Sequence, residues 1–198
     1  MLELRQVTKS FTLPDGSPLH VLDIVQNSLN AGAALIHIEV DEQEQADTLI
    51  VRVADDGSGM PPELVAKVTD PFVTTRTTRK VGLGLPLFMQ AAKAADGDFS
   101  IQSEVGKGTR LCATYRRSHI DRQPVGDMAG TVQTLVLCNP DTDFVYTRRF
   151  NDRSFTLDTR ELRRALGGEV PLNAPEVRAW IRDYLIEGEK GLLEVSDR

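Results

Sequence analysis

An apolar run, Leu49-Ile50-Val51-Arg52-Val53-Ala54, ends abruptly at Asp55-Asp56-Gly57-Ser58-Gly59-Met60, and this junction constrains the chain more than any other stretch. The run alternates, with Leu49, Val51 and Val53 on one face, which predicts a half-buried strand. A strand that stops at a carboxylate and passes into glycines places that carboxylate at a sheet edge. There it can accept hydrogen bonds from a ligand amino group. Gly57 and Gly59 let the backbone approach the same ligand with no Cβ in the way. Alone, the pattern describes a tight polar turn equally well. It gains weight from three further segments that follow an order suited to one nucleotide pocket.

Size and charge narrow the field. The chain has 198 residues, enough for one large domain or two small ones, and 40% of them are hydrophobic against 26% charged, a composition able to bury a core. A net charge of -6 argues against a general nucleic-acid or membrane-surface binder, which needs clustered Lys and Arg. No stretch approaches the roughly 20 apolar residues of a spanning helix, and the first residues lack the apolar segment of a secretory signal. The expectation is a cytoplasmic protein. Cys112 and Cys138 lie far apart in apolar settings, so both read as small core residues, and a zinc site is not expected.

Residues 1–16 are poorly patterned and end in a turn, Leu13-Pro14-Asp15-Gly16. Ser17 as N-cap and Pro18 at the first helical position predict a helix to about Ala31, closed by Gly32. Its apolar stripe is expected to be Leu22, Val25 and Leu29. Asp23, Asn27 and Asn30 fall on another stripe, where a carboxylate and a carboxamide one turn apart can reach one hydrated cation or form a plain solvated face. Strands are expected at Leu35–Val40 and Thr48–Ala54, joined by an acidic loop, then a short helix from Pro61-Pro62-Glu63.

Beyond Asp70-Pro71-Phe72, the segment Val73 to Lys80 is β-branched, hydroxylated and basic, with no apolar period, as in an exposed loop. Gly82-Leu83-Gly84-Leu85 then opens a helix to about Ala95. Glycines leading into a helix N-terminus just after Arg76, Arg79 and Lys80 suit a triphosphate, because free amides, helix dipole and cations all favour anions. Neither the P-loop pattern nor a dinucleotide-binding glycine fingerprint is present. Phe99–Val105 and Thr109–Arg116 read as a hairpin around Gly106-Lys107-Gly108.

The ordered set Asp23-x3-Asn27, Asp55-x-Gly57-x-Gly59, Gly82-Leu83-Gly84-Leu85 and Gly106-x-Gly108-Thr109 resembles the ATP-binding domain shared by histidine kinases, DNA gyrase B, Hsp90 and MutL, the GHKL superfamily. The stretch Asp23 to Ala33 is most similar to the MutL form of the first box, and Asp70-Pro71-Phe72 to the histidine kinases. The resemblance covers residues 17–117. It implies an α/β (α+β) two-layer sandwich of the Bergerat ATP-binding type, a mixed sheet with helices over one face. ATP with Mg²⁺ would lie under a short basic lid from Val73 to Val81.

On the same resemblance, Asn27 would hold Mg²⁺ and Asp55 would read the adenine amino group. Gly57, Gly59 and Met60 would pass under the base, with Thr109 beside Asp55. Arg76, Arg79 and Lys80 would face the phosphates, while Gly82, Leu83, Gly84 and Leu85 would hinge the lid and offer amides. Asp23 stands where hydrolysing members carry Glu and histidine kinases usually carry Asn. It would be the catalytic base, one methylene short. Gln26 replaces the following acidic position of the MutL-like box as a neutral neighbour.

Histidine kinases carry a phosphoacceptor on an upstream helical hairpin, and His20, His37 and His119 lack that context. Residues 118–198 are expected to form a small α+β extension, a partner-binding or regulatory region. A hairpin at Asp143–Arg149 and Ser154–Leu157, a helix from Asp158 to Leu166, and a last helix from Ala174 to Glu187 are predicted there. The Val177, Trp180, Ile181, Leu185 stripe is expected to be core. The layout is similar to small ATP-binding proteins encoded beside iron-only hydrogenase genes. Three functions remain open: an ATP-hydrolysing or ATP-switched module, a kinase acting in trans on a protein partner, and a non-catalytic nucleotide-binding adaptor. Neither a nucleic acid nor a membrane is expected as partner.

Overall fold

The computed structural model describes residues 21–69, 84–168 and 170–193. Twelve elements follow in chain order: α1 (Val21–Asn30), β1 (Leu35–Gln43), β2 (Thr48–Asp55), α2 (Pro62–Thr69), α3 (Gly84–Ala94), β3 (Phe99–Glu104), β4 (Gly108–Arg116), α4 (Met128–Cys138), β5 (Asp143–Phe150), β6 (Arg153–Asp158), α5 (Thr159–Ala165) and α6 (Pro175–Leu193). The strands form one mixed sheet in the order β3-β4-β2-β1-β5-β6, antiparallel except where β5 runs parallel to β1.

Strand alternation decides which face is covered. Register aligns Ile101, Leu111, Val53, Ile38, Tyr146 and Leu157 across the six strands. All six belong to or pack against the hydrophobic core, together with Val21, Ile24 and Val25 of α1, Phe88 and Ala92 of α3, Val132 of α4 and Ile181 of α6. The helices therefore lie over one face, and the fold is the expected two-layer α/β sandwich. On the opposite face Glu39 bonds Arg149 and pairs with Arg52, while His37 points to solvent.

Several expectations need correction. The stripe of α1 that meets the sheet is Val21, Ile24, Val25 and Ser28, and Leu22 is 46% exposed. Leu22, Val25 and Leu29 have helical spacing too, so spacing alone does not choose, and packing on the sheet selects the row that contains a serine. β1 runs three residues beyond Val40, since Asp41, Glu42 and Gln43 pair with Ile50, Leu49 and Thr48. Met128–Cys138, where no element was expected, is helix α4, capped by the Asp127 carboxylate at Gly130 N–H.

Neither cysteine is a core residue. Cys112 falls on the uncovered face by alternation, and Cys138, the last residue of α4, is exposed. Trp180 is 48% exposed and stacks at 5.0 Å on Tyr184, one turn along α6, while Val177, Ile181 and Leu185 are buried. The β5–β6 hairpin and α5 lie where expected. The helix start at Ser17 and the segment Asp70 to Leu83 lie outside the described residues, and so does His20.

Candidate functional site

β2 delivers Asp55 to the rim of the sheet, and the next five residues are fixed on both sides. Ser58 N–H donates to Ala31 O at the end of α1 (2.9 Å), and Ser58 O accepts from Gly106 N–H in the β3–β4 turn (2.8 Å). Asp56 turns the other way, its Oδ1 accepting from the amides of Ala34 and Leu35 (2.8 and 2.9 Å), which ties the start of β1 to the end of β2.

The Asp55 carboxylate is held by three donors. Oδ1 accepts from Gly57 N–H at 3.0 Å and Thr109 N–H at 3.2 Å, and Oδ2 accepts from the Ser28 hydroxyl at 2.6 Å. Thr109 sits directly opposite Asp55 in the β2–β4 ladder. Behind it, Ser103 Oγ accepts from Met60 N–H (2.8 Å), donates to Gly108 O (3.0 Å) and meets Thr109 Oγ1 (2.9 Å).

Glycine is required where these chains cross. Gly59 has φ of +64°, and a Cβ there would lie 2.0 Å from the Glu104 carbonyl oxygen. A Cβ at Gly108 would lie 1.9 Å from Asp55 O. The cradle is thus closed by backbone-to-backbone approach, which explains the Gly59 and Gly108 positions by packing alone.

α1 supplies the opposite wall. Asn27 precedes Ser28, and its Nδ2 is buried with no hydrogen-bond partner among the described residues. Leaving an amide of this kind unpaired costs on the order of 1–3 kcal/mol. Asp23 lies one turn earlier and is exposed at its outer side. The first residue of α3 abuts it, since a Cβ on Gly84 would come within 2.6 Å of Asp23 Cβ. Leu85, the second residue of α3, is buried in the core.

Asp55, Gly57, Gly59, Met60 and Thr109 are therefore brought together, with Ser28 joining them to the helix of Asn27 and Asp23. Arg76, Arg79, Lys80, Gly82 and Leu83 lie outside the described residues. Sequence reasoning missed Ser28 and Ser103. The legible signal for Ser28 was a hydroxyl in an otherwise apolar helical row; Ser103 carried none, being one polar residue of an edge strand. Among the described residues no group of three or more His, Cys, Asp or Glu could hold a metal ion. The observation that bears on a cation is instead the Asn27 carboxamide on α1, its Nδ2 unpartnered among the described residues, a side chain of the kind that can lend Mg²⁺ one oxygen beside substrate phosphates.

A mixed sheet covered on one face, with an acceptor carboxylate fixed at a strand end beside a glycine cradle and a polar helix across from it, is the arrangement that the resemblance to GHKL ATP-binding domains implies. Its family follows from direct comparison. The family described as histidine kinase-, DNA gyrase B-, and HSP90-like ATPase matches residues 19–119, and the chain belongs to it. Similar proteins include sporulation kinase C of Bacillus subtilis, 32% identical over 44% of this chain and 20% of that protein. The sensor kinase CckA of Brucella abortus is 28% identical over 83% of this chain and 20% of its own length. The sensor protein kinase FleS of Pseudomonas aeruginosa is 38% identical over 48% of this chain and 23% of its own. The chain thus spans about a fifth of the length of these relatives. No helix among the described residues is long and apolar enough to cross a membrane.

Proposed function

We propose that residues 17–117 bind ATP with Mg²⁺, and that the module uses the nucleotide for slow hydrolysis or a nucleotide-dependent switch, with residues 118–198 serving a protein partner. The observation that carries this reading is the Asp55 carboxylate, fixed by Ser28, Gly57 and Thr109 as an acceptor at the mouth of the cradle. Adenine presents an amino group there, whereas guanine presents a carbonyl. Asn27 Oδ1 would hold the cation together with phosphate oxygens. Arg76, Arg79, Lys80 and the amides from Gly82 to Leu85 would receive the phosphates. Bound Mg²⁺ supplies charge neutralisation of those phosphates.

Titration with ATP and GTP in the presence of Mg²⁺ tests the reading. ATP should bind more tightly by at least about 2 kcal/mol, because guanine would leave a buried acceptor facing an acceptor. Equal affinities would remove Asp55 from the base site. Radiolabelled γ-phosphate then separates the functions: released phosphate marks an ATPase, and a labelled partner from cell extract marks a kinase acting in trans. A bound but unreacted nucleotide marks an adaptor.

A further inference from the structure

Proton counting around Asp55 singles out Ser28, to which no role has been given by resemblance. A hydroxyl in a helix ordinarily bonds back to the carbonyl four residues earlier. The hydroxyl of Ser28, 4% exposed within the buried row of α1, instead reaches across 27 positions to Asp55 Oδ2 at 2.6 Å. An ionised carboxylate offers about four lone-pair sites. Gly57 N–H and Thr109 N–H occupy both on Oδ1, and Ser28 occupies one on Oδ2. A single acceptor direction is left.

The neighbouring hydroxyls have a fixed polarity as well. Ser103 has one proton, and the Gly108 carbonyl can only accept it, so Thr109 donates its own proton to Ser103 Oγ. Toward the cradle, Thr109 Oγ1 is then an acceptor too. Both side chains on this wall present lone pairs and no proton.

We propose that Ser28 is the positioning residue for base recognition: its hydroxyl, committed to Asp55 Oδ2, leaves the carboxylate one acceptor direction, which selects the exocyclic amino group of the nucleotide base. The inference rests on the reading of Asp55 given above. Without the Ser28 hydroxyl, Oδ2 would have two open sites and water would compete with the amino group for them, while Gly57 and Thr109 would still hold Oδ1.

The test is calorimetric titration of the full chain with MgATP and with purine ribonucleoside triphosphate, which lacks the amino group, for wild type, Ser28→Ala and Ser28→Cys. Wild type should prefer ATP by at least about tenfold, the scale of one hydrogen bond to a charged group. Ser28→Ala should reduce that preference to about threefold or less, while the analogue binds as it does to wild type. Equal weakening of both nucleotides would show that Ser28 only packs α1 against the sheet, and an unchanged preference would also overturn the proposal. Thermal melting checks the fold. If Ser28→Ala fails to fold, Ser28→Cys, with a weaker donor of similar shape, should give an intermediate preference, and a wild-type preference there would overturn the proposal. A wild type that does not discriminate refutes the reading of Asp55 itself and takes the role of Ser28 with it.

Discussion

The two oxygens of Asp55 have different freedom, and a single substitution exposes this. Oδ1 faces two backbone N–H groups, so whatever stands there must accept. In Asp55→Asn the amide oxygen takes that place and the NH₂ group replaces Oδ2, turning the open direction from acceptor to donor. Ser28 can rotate to accept from it. Asp55→Asn should therefore lose ATP affinity by about tenfold or more and bind inosine triphosphate, which carries a carbonyl at that ring position, better than ATP. A competition titration checks the inversion; uniform loss of both ligands would mean that the cradle collapsed. Asp23 and Asn27 pose a second question at this scale. If Asp23 is a general base, Asp23→Asn should lower turnover by at least about a hundredfold and spare ATP affinity, since such help is worth about 10²–10⁴ in rate. If Asp23 only supports the cation, the same change should weaken MgATP binding and leave saturated turnover intact. Asn27→Ala is the reference, expected to weaken Mg²⁺-dependent binding in either case.

Among elements, the β3–β4 hairpin does the most for the site, because it places Thr109 opposite Asp55 and its turn holds Ser58. Two glycine substitutions separate its contributions. Gly106 has φ of +78° and open space around a notional Cβ, so Gly106→Ala should cost only the left-handed conformation, about 1–2 kcal/mol. Gly59→Ala adds a collision with the Glu104 carbonyl and should cost clearly more than Gly106→Ala. In a chain of this size each kcal/mol lowers Tm by about 2–4 °C, so melting curves resolve the two. Equal shifts would show that the loop simply moves aside. The strand ending at Asp55 and the hairpin were legible because alternation and glycine spacing are local signals. The rotation of α1 was not, because two apolar rows share that helix and only the sheet decides between them. Ser28 was hidden by the same ambiguity, its partner being 27 positions away. The exposure of Trp180 escaped for a related reason: a stripe at helical spacing does not say where its edge lies, and Trp180 sits at that edge beside Tyr184.

Across the whole molecule, the family match ends at residue 119, yet the sheet continues, since β5 lies parallel along β1 and β6 beyond it. The junction is held by buried charge as well as by apolar packing. Glu42 at the end of β1 accepts from Arg148 of β5 at 2.7 Å and from Arg117 at 2.9 Å, and Arg148 also faces Glu189 of α6 at 3.5 Å. None of these pairings had a sequence signal, because the partners are up to 106 positions apart. Burial by itself raises the Glu42 carboxyl, but the bonds and charges of Arg148 and Arg117 outweigh it and hold the group below its ordinary 4.5. A depressed carboxyl stabilises the fold above its unfolded value, and that contribution is lost as pH falls through the folded value, so wild type should lose this stability only below about pH 4.5. Arg148→Met removes the strongest lowering partner and leaves the burial in place. At pH 7 it should cost about 3–5 kcal/mol, the scale of a buried charge deprived of its partner. The cost should shrink toward pH 4, where Glu42 can take a proton and cease to be a buried anion. Adding Glu42→Leu to Arg148→Met should recover much of the loss at pH 7, because the buried Glu42 anion goes with its partner, while Arg117 keeps Glu44 and Glu189 keeps the Tyr146 hydroxyl. Denaturant titrations of wild type and the two variants at both pH values measure this directly. If the double variant is as unstable as Arg148→Met and neither responds to pH, the Glu42–Arg148 pair does not hold the two parts of the sheet together through charge.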